Sequence, residues 1–491
     1  MIRRLLIANR GEIAVRVART AREMGIETVG VRSEADAGPF HVSQTDRAVS
    51  LGEGPPLATY LSIEKMLEAA RSSGADAVHP GYGFLSESAA FARAVREAGL
   101  TWIGPDPESI EAMGDKLRAR ERAAQVGVPV VPGSSAVTAA EAEREAKRLR
   151  YPVLVKAAAG GGGKGMARVN DPSELAEALA QARRLAGAAF GNETVYLEKL
   201  LDNPRHVEVQ VFGDRRGNLV HLFERECSVQ RRHQKIVEET PSAALTPELR
   251  AAMGKAAVLT ARAVRYVGAG TVEFLLDASG DFYFLEMNTR LQVEHAITEE
   301  TLGVDLVRAQ IEVASGAELA REWRDGALTP RGHAIEMRLY AEDPEEFLPR
   351  AGRLLAYEEP RGPGIRVDAG VAEGSVVGLD FDPLLAKLVV HAEGRHAAIE
   401  RARRALSEWV VLGVETNLPL LSAVLASPEF TSGRYDTGLV GRLPSRRGGG
   451  VPDAAWVVAG LVLQGVLGES GSPLGSSDDP WASAAGWRPL S

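Results

Sequence analysis

The chain has 491 residues, which is enough for two to four domains. Its composition, 45% hydrophobic and 25% charged, is ordinary for a globular protein. The net charge of −9 excludes a general nucleic-acid binder, because no basic excess is present to neutralise phosphates. The single cysteine, Cys227, excludes an intramolecular disulfide and favours a reducing, cytoplasmic setting. The apolar runs at 1–8 and 454–467 are too short for a signal peptide or a membrane span, so no membrane partner is expected.

The first 110 residues alternate between strand and helix patterns. Apolar strand runs at 5–8, 26–31 and 77–79 are separated by segments with helical spacing, such as 12–24. This order predicts a βαβ array with a mostly parallel sheet. The first turn lacks the G-x-G-x-x-G pattern, which disfavours a dinucleotide site. A second turn at 79–85 follows a strand, where open α/β sheets place ligands; a tight structural turn is an equal alternative.

A glycine-rich loop follows the strand at 151–156. Gly160, Gly161, Gly162 and Gly163 are consecutive, and a lysine stands on either side, at Lys156 and Lys164. Bare backbone N–H groups suit phosphate, and the entropy cost of ordering four glycines suits a lid that closes on its ligand. The spacing is not that of a P-loop. A flexible linker is the alternative, although the two lysines argue against it.

Two further stretches are candidates for nucleotide and anion contacts. Residues 198–201, at the end of a strand run, can offer backbone groups to an adenine and an acidic side chain to a ribose, although a plain sheet edge is the simpler interpretation. The run at 228–239 is rich in basic and amide side chains. A solvated charged loop is the usual interpretation of such a run, but its place in the chain makes an anion site at least as plausible.

The segment 286–294 places a polar side chain at every second position. In an extended chain these side chains project to one face, and two carboxylates, two amides and a guanidinium on one face indicate a binding site. The strand runs 271–277 and 281–288 predict a hairpin in which Glu273 lies opposite Phe284 and diagonal to Glu286. These oxygens suit Mg²⁺ or Mn²⁺ with its bridged phosphates. An amphipathic edge hairpin is the alternative. The alternating residues are Glu286, Asn288, Arg290, Gln292 and Glu294.

Beyond residue 330 the pattern returns to strands. The run 334–340 alternates, which places Glu336, Arg338 and Tyr340 on one face, and a helix is predicted at 397–409. Residues 445–491 are rich in Gly, Ser and Pro and predict a linker of low order with one apolar helix.

Together these motifs resemble the biotin carboxylase family, the ATP-grasp component of biotin-dependent carboxylases. The motifs that carry the resemblance lie at 7–13, 79–87, 113–116, 156–165, 203–208, 227–235, 286–295 and 381–383. The resemblance implies an α/β and α+β multidomain fold. Its parts are a βαβ pre-ATP-grasp domain (1–114), an ATP-grasp domain (115–330, with a lid at about 130–203), a mainly β C-terminal biotin carboxylase domain (331–444) and the start of a linking domain (445–491).

The same resemblance implies a role for each candidate residue. Glu294 would deprotonate bicarbonate, Lys235 would face the γ-phosphate, and Arg338 would stabilise the biotin enolate. Bicarbonate would be held by Arg290, Gln292 and Val293, and Mg²⁺ by Glu273, Glu286 and Asn288. ATP would be held by Lys116, Lys156, Gly161, Gly162, Gly163, Glu198, Lys199, Leu201, His206, Gln230 and His233.

The implied reaction is the ATP- and bicarbonate-dependent carboxylation of biotin N1′ through carboxyphosphate, the first half-reaction of an acyl-CoA carboxylase. The expected partners are a biotin carboxyl carrier protein or domain, a carboxyltransferase subunit and a second copy of the chain. No Ala-Met-Lys-Met-type biotinylation site is present, so biotin is expected on another polypeptide. Another ATP-grasp ligase that forms carboxyphosphate is the alternative. A catalytically dead regulatory subunit would be expected to lack Glu294 or Arg290, and both are present.

Overall fold

The protein is described here by a computed structural model that covers residues 2–36, 38, 40–158 and 166–444. Gly161, Gly162 and Gly163 and the tail at 445–491 lie outside the described residues. No helix within the described ranges is long and apolar enough to cross a membrane.

The N-terminal segment forms a five-stranded parallel sheet, as its alternating pattern predicts. The strands are β1 (Arg4–Ile7), β2 (Glu27–Arg32), β3 (Arg47–Ser50), β4 (Ala77–His79) and β5 (Thr101–Trp102), and the helices are α1 (Gly11–Glu23), α2 (Phe40–Ser43), α3 (Ile63–Ser73), α4 (Ala89–Glu97) and α5 (Pro107–Gly114). The strand order β3-β2-β1-β4-β5 puts the topological switch between β1 and β4. There the Asn9 amide donates 2.7 Å hydrogen bonds to the carbonyls of Pro80 and Tyr82, which fixes the turn at 79–85 beside the end of β1.

A small antiparallel sheet follows, within the segment predicted as a lid. After α6 (Lys116–Gln125), its elements are β6 (Gly133–Ala136), α7 (Ala139–Leu149), β7 (Val153–Ala157), β8 (Ala167–Val169), α8 (Leu175–Phe190) and β9 (Val195–Lys199), with strand order β6-β9-β7-β8. A capping box between Thr138 and Glu141 starts α7. Val153, Val155 and Leu197 pack beneath α7 and α8 and give the small sheet its own core.

The largest sheet has eight strands and runs through two of the predicted domains. Its order is β14-β13-β10-β11-β12-β15-β20-β18. The strands are β10 (Arg205–Gly213), β11 (Leu219–Arg231), β12 (Gln234–Thr240), β13 (Gly268–Leu276), β14 (Phe282–Asn288), β15 (His333–Tyr340), β18 (Ile365–Ala369) and β20 (Leu384–Ala392). Because β12 pairs with β15, the segment predicted as the ATP-grasp domain and the segment predicted as the C-terminal domain share one sheet.

Helices and short strand pairs cover this sheet. They are α9 (Pro247–Arg262), α10 (His295–Leu302), α11 (Leu306–Ala314), α12 (Arg321–Arg324), β16 (Gly352–Arg353), β17 (Ala356–Glu358), β19 (Val376–Val377), α13 (Arg395–Glu408), β21 (Val410–Leu412), α14 (Leu418–Ala426), α15 (Pro428–Thr431) and α16 (Leu439–Arg442). One apolar core joins Val229 and Ile236 to Leu388 and the face of α13, so it also spans the predicted domain boundary.

Candidate active site

A cavity of about 680 Å³ lies between the small sheet and the eight-stranded sheet. All but one of the predicted site residues that the structure describes line it, and the exception is Glu294, which is fully buried. The lining residues are Lys116, Lys156, Glu198, Lys199, Leu201, His206, Gln230, His233, Lys235, Glu273, Glu286, Asn288, Arg290, Gln292, Val293 and Arg338.

The predicted register of the carboxylate hairpin is wrong. Glu273 pairs directly with Glu286, and Phe284 pairs with Phe274, with a bulge between the two pairs. The bulge inserts one residue on β14 and shifts the register, which no pattern in the sequence indicated. The two carboxylates are therefore closer than predicted, and they share one face of the hairpin at the cavity wall.

The alternation predicted along 286–294 is also only partly right. β14 ends at Asn288, and the chain then turns until α10 begins at His295. Arg290, Gln292 and Glu294 still reach the site, but they do so through the turns of this segment. We call residues 289–294, which hold the residues that the resemblance assigns to bicarbonate, the bicarbonate segment below.

Arg290 organises the bicarbonate segment through four contacts, one of which is a 3.3 Å hydrogen bond to the Leu291 backbone carbonyl. Its guanidinium donates to the Asn288 amide oxygen at 2.7 Å, to the Gln292 amide oxygen at 2.6 Å and to a Glu87 carboxylate oxygen at 3.0 Å. The other Glu87 oxygen accepts from the Thr289 backbone N–H at 3.0 Å. Glu87 lies just before α4. Its carboxylate thus holds both the Thr289 backbone N–H and the Arg290 guanidinium in place. The sequence analysis gave no role to Glu87; its only signal was its place at the end of the motif at 79–87.

Lys235 lies at the centre of three buried carboxylates. Its ammonium contacts Glu208 at 2.5 Å and both Glu273 and Glu294 at 2.8 Å. Burial alone would lower the pKa of Lys235, but the carboxylates outweigh it and hold the pKa well above its usual value. Lys235 is therefore a fixed positive charge on the cavity wall.

Glu294 is held by a cation on each oxygen. One oxygen contacts Lys235 at 2.8 Å, and the other accepts from Arg338 at 2.9 Å. Burial would raise the pKa of Glu294, but Lys235, Arg338 and Arg225 hold it well below its usual range. The carboxylate is thus ionised and able to accept a proton.

A second ion-paired group lies at the small-sheet wall of the cavity. Lys156 contacts Glu198 at 2.8 Å, and Arg120 contacts the other Glu198 oxygen at 2.7 Å. Burial would raise the pKa of Glu198, but these two cations lower it. Arg120, on α6, is a contact that the sequence analysis missed, since nothing in the charge pattern of α6 singles it out.

The run at 228–239 is not a solvated loop, which corrects the usual interpretation of such a charged stretch. It forms the end of β11, a turn at Arg232 and His233, and β12. Gln230 donates to His206 at 2.6 Å, and His206 in turn contacts Glu273 at 2.9 Å. The polar side chains of this hairpin therefore build the cavity wall.

A second cavity, of about 510 Å³, meets the first at the bicarbonate segment. Gln234, Arg290, Val293 and Arg338 line both cavities. The turn at 79–85 contributes to its wall, so the ligand-site alternative for that turn receives geometric support. The lining residues to which the sequence analysis gave no role include Asn9, Arg10, Tyr82, Gly83, Gln234, Tyr340 and Asp382.

Family models match nearly the whole described chain. The model for the biotin carboxylase N-terminal domain matches residues 1–110, and that for the biotin carboxylase C-terminal domain matches 336–442. Between them, the model for the carbamoyl-phosphate synthase L chain ATP binding domain matches 115–322.

Curated and solved proteins agree with these matches. The chloroplastic biotin carboxylase of Arabidopsis thaliana is 50% identical over 440 residues, which cover 89% of this chain and 82% of that protein. A crystal structure of the biotin carboxylase-β-γ-ATP complex from Campylobacter jejuni has a TM-score of 0.88 and 42% identity, and covers 90% of this chain and 99% of that one. The biotin carboxylase domain dimer of Hydrogenobacter thermophilus 2-oxoglutarate carboxylase, in complex with MgADP, ADP and bicarbonate, has a TM-score of 0.86 and 44% identity, and covers 89% and 97%.

The fold and these matches define an ATP-grasp enzyme of the ligase class. This chain belongs to the biotin carboxylase family. These matches confirm the family resemblance that the motifs indicated. They also confirm the predicted three-part architecture.

Proposed function

We propose that this chain uses ATP to activate bicarbonate as carboxyphosphate and transfers the carboxyl group to N1′ of biotin on a carrier protein. The observation that carries the proposal is the position of Glu294. It is an ionised, buried carboxylate that directly follows Val293, a residue that lines both cavities, and it has Lys235 on one oxygen and Arg338 on the other. A base in this position serves a reaction between two substrates that enter separately.

Bicarbonate is assigned to the bicarbonate segment. Arg290 is pre-oriented by Glu87 and Asn288, and Gln292 and Val293 line the cavity beside it. A guanidinium held in this way binds a planar oxyanion without further loss of side-chain freedom. Glu294 follows directly in the chain, which suits it to remove the proton from the bound anion.

The nucleotide is assigned to the remainder of the larger cavity. Positive charge for the phosphates would come from Lys116, Lys156 and Lys235. Hydrogen bonds to the phosphates would come from the backbone N–H groups of Gly161, Gly162 and Gly163. Lys199 and Leu201 line the cavity at the small sheet, near Glu198, which suits the nucleoside. His206, Gln230 and His233 form the wall between these regions.

Lys235 has a second role in this scheme. In the described state it neutralises Glu294, which keeps that base weak. A bound γ-phosphate would attract the Lys235 ammonium away from Glu294. Weakening of the contact between Lys235 and Glu294 raises the pKa of Glu294 and makes it a stronger base. Binding of the nucleotide therefore strengthens the base that the reaction needs.

The donor set for Mg²⁺ or Mn²⁺ fits a hard cation. Glu273 and Glu286 face each other across the hairpin, Asn288 lies two residues after Glu286 on the same strand, and all three line the cavity. Among the described residues, the one ion-pair contact of Glu286 is a distant one, at 3.6 Å from Lys116, and its side chain stays partly exposed. A bound divalent ion would neutralise charge on the phosphates.

Biotin is assigned to the second cavity. Arg338 lines it and also contacts Glu294, so one guanidinium faces both half-reactions. A positive group here stabilises the negative charge that develops on the biotin ureido oxygen when N1′ loses its proton. Tyr82 and Gly83 form part of the opposite wall.

The proposed partners follow from this chemistry. Carboxybiotin has to reach a second active site, which calls for a carrier protein or domain and a carboxyltransferase subunit. Two exposed leucines flank the second cavity, because Leu57 follows the lining residue Pro56 and Leu379 precedes the lining residue Asp380. We assign them to the carrier contact, and we further propose a homodimer in a cytoplasmic setting, the latter supported by the single buried thiol of Cys227.

The direct test is ATP cleavage measured with and without bicarbonate and biotin. The expected result is ADP formation that needs bicarbonate and is accelerated by biotin, together with acid-labile ¹⁴C from labelled bicarbonate on the biotin. ADP formation driven by an amine in place of biotin would favour a different ATP-grasp ligase.

A further inference from the structure

A lysine that lines neither cavity donates a hydrogen bond to the backbone of the bicarbonate segment. Lys387, in the middle of β20, is fully buried. Its ammonium donates a 2.6 Å hydrogen bond to the Val293 backbone carbonyl, across a sequence separation of 94 residues. Val293 lines both cavities, so this bond ties the C-terminal segment to the place where the two substrates meet.

The carbonyl that Lys387 holds belongs to the peptide unit that leads into Glu294. A peptide unit is planar, so fixing the Val293 carbonyl also fixes the orientation of the Glu294 backbone N–H and the direction in which that residue leaves the segment. Glu294 immediately precedes α10. Lys387 therefore constrains the base from the backbone side, while Lys235 and Arg338 constrain its carboxylate.

Carboxylates keep Lys387 charged. Asp368 lies directly opposite on β18, the Glu12 carboxylate is 3.5 Å away, and Glu336 is on the neighbouring strand β15. Burial would lower the pKa of Lys387, but these carboxylates raise it. A protonated amine has three donors, and the geometry directs one of them at Val293.

Charge balance alone does not account for this arrangement. The contact of Lys387 with the Val293 carbonyl is 0.9 Å shorter than its contact with Glu12 (2.6 against 3.5 Å). Neither Glu12 oxygen has a hydrogen-bond partner among the described residues. A lysine placed only to neutralise Glu12 would be expected to give that carboxylate the short contact.

We propose that Lys387 is a positioning residue for bicarbonate activation, acting through the Val293 carbonyl. The inference rests on the proposed function, since it concerns how the same site holds its bicarbonate segment.

The test is Lys387→Met, which keeps the length of the side chain and removes the donor. The KM for bicarbonate should rise about 10-fold or more, which is the effect of losing a hydrogen bond from a charged group. The KM for ATP should stay within about twofold of the wild-type value. Both are measured as bicarbonate-dependent ATP cleavage without biotin. A purely structural role would affect the two constants together.

Two further variants keep the test decisive. Lys65→Met is the matched control, because Lys65 also donates a 2.6 Å hydrogen bond to a backbone carbonyl, that of Leu51, away from both cavities; its KM for bicarbonate should equal that of the wild type. If Lys387→Met does not fold, Lys387→Met/Glu336→Gln removes two nearby buried ionisable groups together and should show the same split.

The outcomes separate the two claims. A wild-type chain without bicarbonate-dependent ATP cleavage contradicts the proposed function itself. The positioning role alone is overturned if the wild type is active and a folded Lys387 variant has an unchanged KM for bicarbonate. It is also overturned if the KM for bicarbonate changes in parallel with the KM for ATP.

Discussion

At the scale of single residues, the site combines a buried base with the cations that restrain it. Glu294 is ionised because Lys235 and Arg338 outweigh the cost of its burial. The same contacts make it a weak base until one of them is drawn away. In the proposed function, this arrangement would link proton removal from bicarbonate to the presence of a phosphate for Lys235 to bind.

Replacing Glu294 by Gln tests the base directly. Glu294→Gln keeps the size of the side chain but removes the proton acceptor, so bicarbonate-dependent ATP cleavage should fall about 100-fold or more. Nucleotide affinity, measured by calorimetry, should stay near that of the wild type. The matched control is Glu224→Gln, which alters a buried carboxylate paired with Arg250 outside the cavities. Wild-type turnover in Glu294→Gln would remove the base assignment.

Arg338→Ala separates the two half-reactions. Its loss should cut biotin carboxylation by about 100-fold or more, because a positive group at the developing enolate is removed. Bicarbonate-dependent ATP cleavage without biotin should fall less, through the lost 2.9 Å contact with Glu294. Equal losses in both assays would assign Arg338 to the ATP half-reaction.

The pH dependence of stability provides a test at Glu12. Burial raises the pKa of this carboxyl from 4.5 to about 7, despite the nearby Lys387. The folded state therefore binds the proton more tightly than the unfolded state, and this contribution to stability is complete below pH 4.5 and is lost as the pH rises through 7. Glu12→Gln has no proton to lose at this position. Its free energy of unfolding, relative to that of the wild type, should therefore rise by about 2–3 kcal/mol between pH 4.5 and pH 8. Chemical denaturation at both pH values measures it, and a pH-independent difference would contradict the shift.

At the scale of elements, loops at the mouth of the second cavity pack together through aromatic rings. Phe381 makes edge contacts with Tyr60 at 5.5 Å and with Phe84 at 6.3 Å between ring centroids. This cluster joins the loop before β20 to the segment before α3. It presents Leu57 and Leu379, 76% and 66% exposed, beside the cavity. Exposed apolar side chains at the edge of a polar cavity are typical of a protein contact.

The double variant Leu57→Ser/Leu379→Ser tests this contact. The KM for carrier-bound biotin should rise about 10-fold, because two apolar contacts with the carrier are lost, whereas the KM for free biotin should not change. Leu355→Ser/Leu412→Ser is the control, since these leucines are 68% and 56% exposed at the β17–β21 pair. Equal effects of the two double variants, or a matching rise for free biotin, would contradict a carrier surface at the cavity mouth.

At the scale of the whole molecule, the eight-stranded sheet makes the ATP-binding and C-terminal segments one structural unit. Strands β12 and β15 carry Lys235 and Arg338, and their pairing sets the two cations on either side of Glu294. The catalytic geometry thus depends on a strand pairing between two predicted domains. The C-terminal segment thus contributes Arg338 to the wall of the same cavity that Lys116 and Lys156 line.

The need for a carrier gives a prediction for the full chain. Tethering raises the local concentration of biotin to about the millimolar range, so a biotinylated carrier should be a much better substrate than free biotin, whose apparent KM should be high. The chain itself, incubated with biotin ligase, biotin and ATP, should acquire no covalent biotin. Covalent biotin on this polypeptide, or equal efficiency of free and carrier-bound biotin, would contradict the prediction.

The sequence by itself determined most of the element types, the family and most of the residues that meet at the site. These follow from local signals: the βαβ alternation before residue 110, the glycines beside Lys156, and the polar positions of 286–294. Such patterns report on short stretches of chain and on side-chain chemistry, which is why nearly every candidate residue lies at one cavity.

Tertiary structure alone decided how these residues face one another. The bulge in β14 set Glu273 opposite Glu286, and the pairing of β12 with β15 joined two predicted domains in one sheet. The contacts of Glu87 with Arg290 and of Lys387 with Val293 span 203 and 94 residues. Register and long-range contacts depend on how whole elements pack, and no periodicity within a short window of sequence encodes them.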